Sequence, residues 1–200
     1  MTSGLRERKK HATRLALHEA ALQLVAEHGL EAVSVDDVAA RAGVSPRTFF
    51  NYFPTKDDAV LGLDPADTER LTAGLAARPA GESPLAALRA VQLEQAAAMA
   101  AEPEGLWPLR LRVVEAHPVL LARLHATFGR SERALVEAIA TRTGTRVDVD
   151  GYPPLLAAVA GAAMRTALHR WLRSDFTASL PRLVDEAWDL LAAGLPAPRP

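Results

Sequence analysis

Arg47, Thr48 and Asn51 stand within five residues of one another, in the stretch GVSPRTFFNYFPTKDD at positions 43–58. Each has chemistry suited to the edge of a base pair. Arginine can bond guanine O6 and N7 together, asparagine can do the same with adenine N6 and N7, and the threonine methyl can meet a thymine methyl. Ser34 at one helix start, and Thr55 with Lys56 at another, would bring backbone N–H groups, a hydroxyl and an ammonium to phosphate oxygens. The first set would read sequence, and the second would set position.

Helical geometry explains why three phenylalanines and a tyrosine crowd the same stretch. At about 100° per residue, Arg47, Asn51, Thr48 and Tyr52 fall at about 0°, 40°, 100° and 140°, a contiguous polar arc. Phe49, Phe53, Pro46 and Phe50 fall at about 200°, 240°, 260° and 300°, which predicts that the rings form an inner face. A helix this short cannot persist alone, so the rings must anchor it while the arc is presented outward.

The flanking elements are helical as well. Leu17, Ala20, Ala21, Leu24 and Val25 repeat as one buried helical face, ended by Gly29, so helix 1 is expected over roughly residues 5–28. Ser34 and Asp37 form a capping box for a short helix that stops at Gly43. Ser45 caps the next, with Pro46 in the favoured first position. A fourth helix opens at Thr55, and Asp64-Pro65 is expected to break or kink it. Further helices are expected at about 84–101, 105–115, 118–142, 153–174 and 180–193. The fold class is therefore all-α with about nine helices. A helix-turn-helix domain (residues 1–58, the motif at about 34–53) would precede a helical domain (59–194) and a loose tail (195–200).

Composition bounds the function. Two hundred residues with 49% apolar content suffice for a substantial core, and the absence of cysteine removes disulfides, thiolate metal sites and a cysteine nucleophile. The formal charge of −1 hides an asymmetry: residues 1–56 carry eight Lys and Arg against six Asp and Glu, with Arg6, Arg8, Lys9, Lys10 and Arg14 gathered near one Glu7. A basic arm beside a near-neutral body suggests a polyanion partner, or else a solvated terminus. The start lacks the apolar core of a signal peptide and no apolar run reaches membrane-spanning length, so a cytoplasmic chain with no membrane partner is expected. The histidines show no H-E-x-x-H or other compact metal spacing, and neither a G-x-S-x-G elbow nor a phosphate-cradling glycine loop occurs. No enzyme, metal or cofactor is expected. A helical DNA-organising or protein-interaction module is the alternative from another class, and it would lack a ligand pocket and base preference.

The run from Leu5 to Asp58, with VSVDDVAARAGVS, the Thr48-Phe49 pair, NYF and PTK, resembles the TetR family of bacterial transcriptional regulators. The resemblance implies that Pro46, Arg47, Thr48, Asn51 and Tyr52 enter the major groove, with Ser34 and Lys56 on phosphates and Ser45 at the start of the recognition helix. Phe50 departs from the pattern, since many relatives have tyrosine there and its hydroxyl bond to phosphate would be lost. SPRTFFNYFPTK and LRSDFTASLPRLVDEAWDLLAAGL resemble a subgroup tied to mycofactocin and acyl-CoA responses. The family implies a homodimeric repressor bound to an inverted-repeat operator and released by a small-molecule inducer.

Two regions of the remaining chain bear on that expectation. Leu85, Leu88, Gln92, Gln95 and Met99 share one helical stripe, so either another side chain or water meets the two amides, or they line a cavity and bind a ligand's polar end. By family resemblance Trp107, Arg110, Val113, Leu121, Leu124, Phe128 and Met164 would add an apolar wall with one cation, for a small, largely apolar inducer that can carry an anionic group. Residues 155–172 are apolar around most of the helix, which needs one face for the core and another for a second chain, or else a wholly internal position. Ala158, Gly161 and Ala162, with Leu183, Val184, Ala187, Trp188 and Leu191 on the last helix, form the expected dimer interface.

Overall fold

The computed structural model describes residues 2–103 and 105–196, apart from the side chains of residues 2–7 and of Pro65. The side chains of Arg6 and Glu7 of the basic arm, and residues 197–200 of the expected tail, lie outside the described set. Ten helices follow one another among the described residues: α1 (Thr2–His28), α2 (Val35–Arg41), α3 (Pro46–Phe50), α4 (Lys56–Leu61), α5 (Pro65–Ala77), α6 (Pro84–Ala100), α7 (Leu106–Ala116), α8 (Pro118–Thr143), α9 (Tyr152–Arg173) and α10 (Leu180–Ala192). None is long and apolar enough to cross a membrane.

The starts are specified locally. Ser34, Ser45, Thr55, Ser83 and Ser179 each accept a bond from the backbone N–H three residues on, and proline follows in the first turn of α3, α6 and α10. These bonds satisfy donors that a helix start leaves without an intrahelical partner.

The chain forms two compact units, Met1–Pro65 with Glu104–Ala126, and Ala66–Pro103 with Thr127–Pro200. This differs from the boundary expected at residue 58. The reason is that α7 and the first turns of α8 pack on α1 and α4: Leu106, Val113, Val114 and Leu120 join Leu17, Ala21, Val25, Phe49, Phe53 and Val60 in one core. Arg123 of α8 fastens this arrangement, donating from Nε and Nη2 to the two carboxylate oxygens of Asp58, each at 2.8 Å. The Thr55 hydroxyl donates to the same carboxylate at 2.8 Å.

In the second unit α10 packs on α6 and α9. Trp188 and Leu180 are fully buried there with Leu88, Ala160 and Ala167. Arg89 of α6 pairs with Asp185 and Asp189 of α10 at 2.6 and 2.7 Å. Arg142 near the end of α8 donates to the carbonyls of Leu75, Arg78, Pro79 and Glu82, which closes the end of α5.

Of the break or kink expected at Asp64-Pro65, the structure has the break. Gly62 caps α4 in the left-handed region, at φ 64°, and α5 starts afresh at Pro65. A Cβ at Gly62 would lie 2.7 Å from Arg110 Nη2 and 2.9 Å from the His18 ring, so space as well as backbone angle demands glycine. Below this corner His18 is buried, its Nδ1 donating to the Ala59 carbonyl at 2.7 Å and its Nε2 accepting from Arg110 Nη2 at 2.5 Å. Burial, followed by the Arg110 guanidinium, lowers the His18 pKa from 6.5 to about 3, against the raising effect of the Ala59 bond.

Two outcomes follow from this corner. Gly62→Ala should cost about 1–3 kcal/mol of unfolding free energy in denaturant titration; a loss below about 0.5 kcal/mol would show that the corner relaxes freely. The second concerns acid. The folded-state pKa of His18 lies below the unfolded value, so the unfolded chain binds the extra proton. The stabilisation is therefore complete above pH 6.5 and is lost as pH falls towards 3. His18→Gln keeps a donor and an acceptor without the titration. Between pH 6.5 and 5 its stability should fall less steeply than wild type, by about 1.4 kcal/mol per pH unit at most. Parallel slopes would exclude the assignment.

Candidate nucleic-acid interface

The polar arc is built on a helix five residues long. Phe49 and Phe53 are fully buried, their ring centroids 6.0 Å apart, and they fix α3 against α1, α2 and α4. Gly43, at φ 68°, makes the tight turn that brings α3 across from α2. With the inner face held, Pro46, Arg47 and Asn51 are exposed, and Thr48 and Tyr52 are partly exposed. The Thr48 hydroxyl bonds the Ser45 hydroxyl at 2.9 Å.

Phe50 corrects the expectation that all the rings form the inner face. It is 57% exposed, with only its edge against Phe49 at 5.4 Å and 85°. At about 300° on the helix it lies as near to Arg47 as to Phe53, at the edge of the inner face. Phe50 therefore joins the exposed face as an apolar contact surface.

Two of the groups assigned to phosphates, and one arginine of the basic arm, make bonds within the protein itself. Lys56 Nζ donates to the carbonyls of Val33, at 2.7 Å, and of Leu30. It thereby satisfies the turn between α1 and α2 with the ammonium that was expected on a phosphate. Ser34 Oγ donates to Asp37 Oδ2 at 2.6 Å while Asp37 Oδ2 also accepts from Ser34 N, at 2.9 Å. Those bonds hold the Asp37 carboxyl below its usual range. Arg14, counted with the basic arm, turns inward onto Phe53 and the carbonyls of Tyr52 and Leu63. Arg8, Lys9 and Lys10 stay exposed on α1. The inward roles carry no signal in residue spacing, because they depend on which carbonyls the folded turns leave without a donor.

The residues expected to bind a ligand divide between the two units. In the second, Gln92 is buried with both amide groups satisfied: it donates to the Ala160 carbonyl at 2.9 Å and accepts from Trp188 Nε1 at 3.0 Å. Of the two alternatives, protein partners meet this amide. Gln95 is exposed and Met99 half-buried on the same helix, Phe128 is exposed and Met164 half-buried. In the first unit Arg110 lies over the Trp107 ring, 4.2 Å from its centroid, beside the buried Val113, with Leu124 half-buried and Leu121 exposed. An open surface depression of about 390 Å³ in the second unit is lined by Ala97, Ala100, Trp171, Phe176, Ser179 and neighbours, none of them among the expected ligand residues. Among the described residues no cluster of His, Asp and Glu could hold a metal ion.

The dimer set divides by helix. On α9, Ala158 and Ala162 are exposed and Gly161 is half-buried. On α10, Leu183, Val184, Ala187 and Trp188 are buried within their own chain against α6 and α9, and Leu191 is half-buried. Most of the apolar stripe of α10 is therefore packed within its own chain, with its indole bonded to Gln92, while Leu190 of α10 is 51% exposed and α9 presents an outward row that begins at Leu155 (65% exposed).

Comparison with known proteins agrees with this architecture. Residues 17–61 match the N-terminal model of bacterial regulatory proteins of the tetR family, and residues 82–196 match the MftR C-terminal domain. The chain is 36% identical over 178 residues to the HTH-type transcriptional regulator TcmR of Streptomyces glaucescens, covering 86% of this chain and 79% of TcmR. It is 29% identical over 189 residues to MftR of Mycobacterium tuberculosis, named for the regulation of mycofactocin biosynthesis, with 94% and 93% covered. The structure of SmeT of Stenotrophomonas maltophilia in complex with triclosan superposes with a TM-score of 0.57 at 19% identity, covering 94% of this chain and 99% of SmeT. With a helix-turn-helix that presents a polar arc, and matches that run through both units, the chain belongs to the TetR family of DNA-binding transcriptional regulators.

Proposed function

We propose that the chain is a homodimeric repressor that binds an inverted-repeat operator and leaves it when a small, largely apolar molecule binds. The observation that carries this reading is the arc of Arg47, Thr48 and Asn51, held outward by the buried Phe49 and Phe53. Arg47 would read a guanine and Asn51 an adenine, with the Thr48 methyl and Phe50 against thymine methyls. Pro46 and Tyr52 flank the groove, while exposed Ser34, Ser45 and the cations of α1 approach phosphates. Lys56 acts indirectly, by holding the turn before α2.

The second copy is proposed to meet the outward row of α9. Leu155, Ala158, Ala162, Thr166 and His169 are all exposed at steps of three and four residues, so they share one face, and the alanines permit close helix approach. Two copies related by a two-fold axis would place this row against itself and set the recognition helices about one DNA turn apart.

For the inducer, Gln92 is withdrawn as the polar anchor because its amide is already engaged. Arg110, on the Trp107 ring and bonded to His18 beside the end of α4, takes that role, with Trp107, Val113, Leu121 and Leu124 supplying apolar surface. An apolar compound with an anionic group fits that chemistry. SmeT in complex with triclosan shows a relative in fold holding a small molecule. A ligand acts here only through different affinities for DNA-competent and incompetent states. The cytoplasm is the proposed compartment, where the operator would be.

Selection of bound fragments from random DNA tests the reading directly. Wild-type protein should select an inverted repeat, and Arg47→Ala should lose about 1–3 kcal/mol at one base pair of each half-site and change the preference there. Selected sites with the same base preference would remove Arg47 from the reading set. For the dimer, Ala162→Arg should give monomers by light scattering and weaken binding to the full repeat by a factor of about 100 or more, because one half-site then binds without the other. A dimeric Ala162→Arg protein would place the interface elsewhere.

A further inference from the structure

Arg14 makes more contacts than a residue of a basic arm needs. Its Nη1 donates to the Tyr52 carbonyl at 2.6 Å, just past the end of α3, and its Nη2 donates to the Leu63 carbonyl, just past the end of α4. Its Nε lies 3.5 Å from Asp64 Oδ2, and its Cζ lies 4.1 Å from the centroid of the Phe53 ring. The side chain is only 16% exposed.

We propose that Arg14 is the positioning residue that sets the angle of the recognition helix α3 against the α4–α5 corner, and through it the spacing at which a dimer reads its two half-sites. This rests on the dimeric reading given above. The last carbonyls of a helix have no intrahelical donor, and here the carbonyls just beyond two helix ends are joined by one rigid planar fork. A five-residue helix has no backbone length to define its own orientation, so the buried rings and this fork must do so. Arg110 and His18 also lie close to this corner, at Gly62. A shift of Leu63 and Asp64 therefore moves the group that holds Tyr52. With its donors directed to carbonyls and Asp64, Arg14 acts on DNA through α3 and not by touching it.

Lysine at this position keeps the charge but offers one compact ammonium, which cannot hold both carbonyls in a fixed plane or cover the Phe53 face. The test uses full-length wild type and Arg14→Lys on DNA built from half-sites that wild type selects from random sequence, with the spacer lengthened or shortened in single base pairs. Wild type should bind best at one spacer length. Arg14→Lys should keep the base preference within each half-site while its penalty for a one-base-pair spacer change falls by about fivefold, which is about 1 kcal/mol. Melting temperature is followed in parallel, since a merely structural residue would lower it without altering the spacer profile. A wild-type spacer profile in Arg14→Lys overturns the proposal, whatever its melting temperature, and so does an altered base preference, which would mean direct contact with DNA. If Arg14→Lys does not fold, Asp64→Asn decides: it removes the ionic contact and leaves both carbonyl bonds, and should relax the spacer penalty about twofold, an unchanged profile overturning the proposal. A wild-type protein with no spacer optimum would overturn the dimeric reading and this proposal together, whereas an unchanged Arg14→Lys profile overturns this proposal alone.

Discussion

A helix of five residues does not survive in water by its own hydrogen bonds, and α3 exists because Phe49 and Phe53 are buried under it. Much of the first unit serves that burial. The α1 face of Leu17, Ala21 and Val25, the inner side of α2 at Val38 and Ala39, and α4 at Ala59 and Val60 form the surface on which the two rings rest. The Ser45 cap, Pro46 and the Gly43 turn fix where the helix begins. Because the anchoring is rigid, the outward residues keep a constant relation to one another, which reading several base edges at once requires.

The cations near the interface show a second constraint. Sequence alone invites every arginine and lysine of a DNA-binding domain to be assigned to phosphate. In the fold, Arg14 and Lys56 donate to carbonyls of turns and helix ends, Arg110 bonds His18, and Arg123 grips Asp58 with two parallel bonds. Short helices joined by tight turns leave many carbonyls without donors, and long cationic side chains are the groups able to reach them. Arg47 and, on α1, Arg8, Lys9 and Lys10 are by contrast exposed. The domain is thus held by the same residue types that its partner would attract, and only their direction separates the two roles.

The second unit applies the same logic to apolar surface. Gln92 lies among buried residues because its amide bridges the Ala160 carbonyl and the Trp188 indole, which locks α6, α9 and α10 to one another. That lock turns the richer stripe of α10 inward and leaves α9 the outward row. An apolar helix in a core and one at a subunit interface have the same composition, so burial within one chain is what separates them.

The all-α class, the order of the helices, most of their ends and the outward arc of α3 were legible in the sequence, because capping, helical periodicity and the placement of Gly and Pro act over a few residues. Ser34, Ser45, Thr55 and Ser83 cap where their spacing says they should. What tertiary structure decided involves residues far apart in the chain. The lack of room for a Cβ at Gly62 follows from the positions of Arg110 and His18, and the packing of α7 with α1 and α4 carries the first unit past residue 58. Phe50, at the edge of the inner face, is left exposed while Phe49 and Phe53 are buried, and the inward turns of Arg14 and Lys56 follow from carbonyls that exist only once the turns have formed. The physical reason is common to all of them: a side chain's choice between protein and partner depends on which groups lie within its reach, and those groups are assembled by folding.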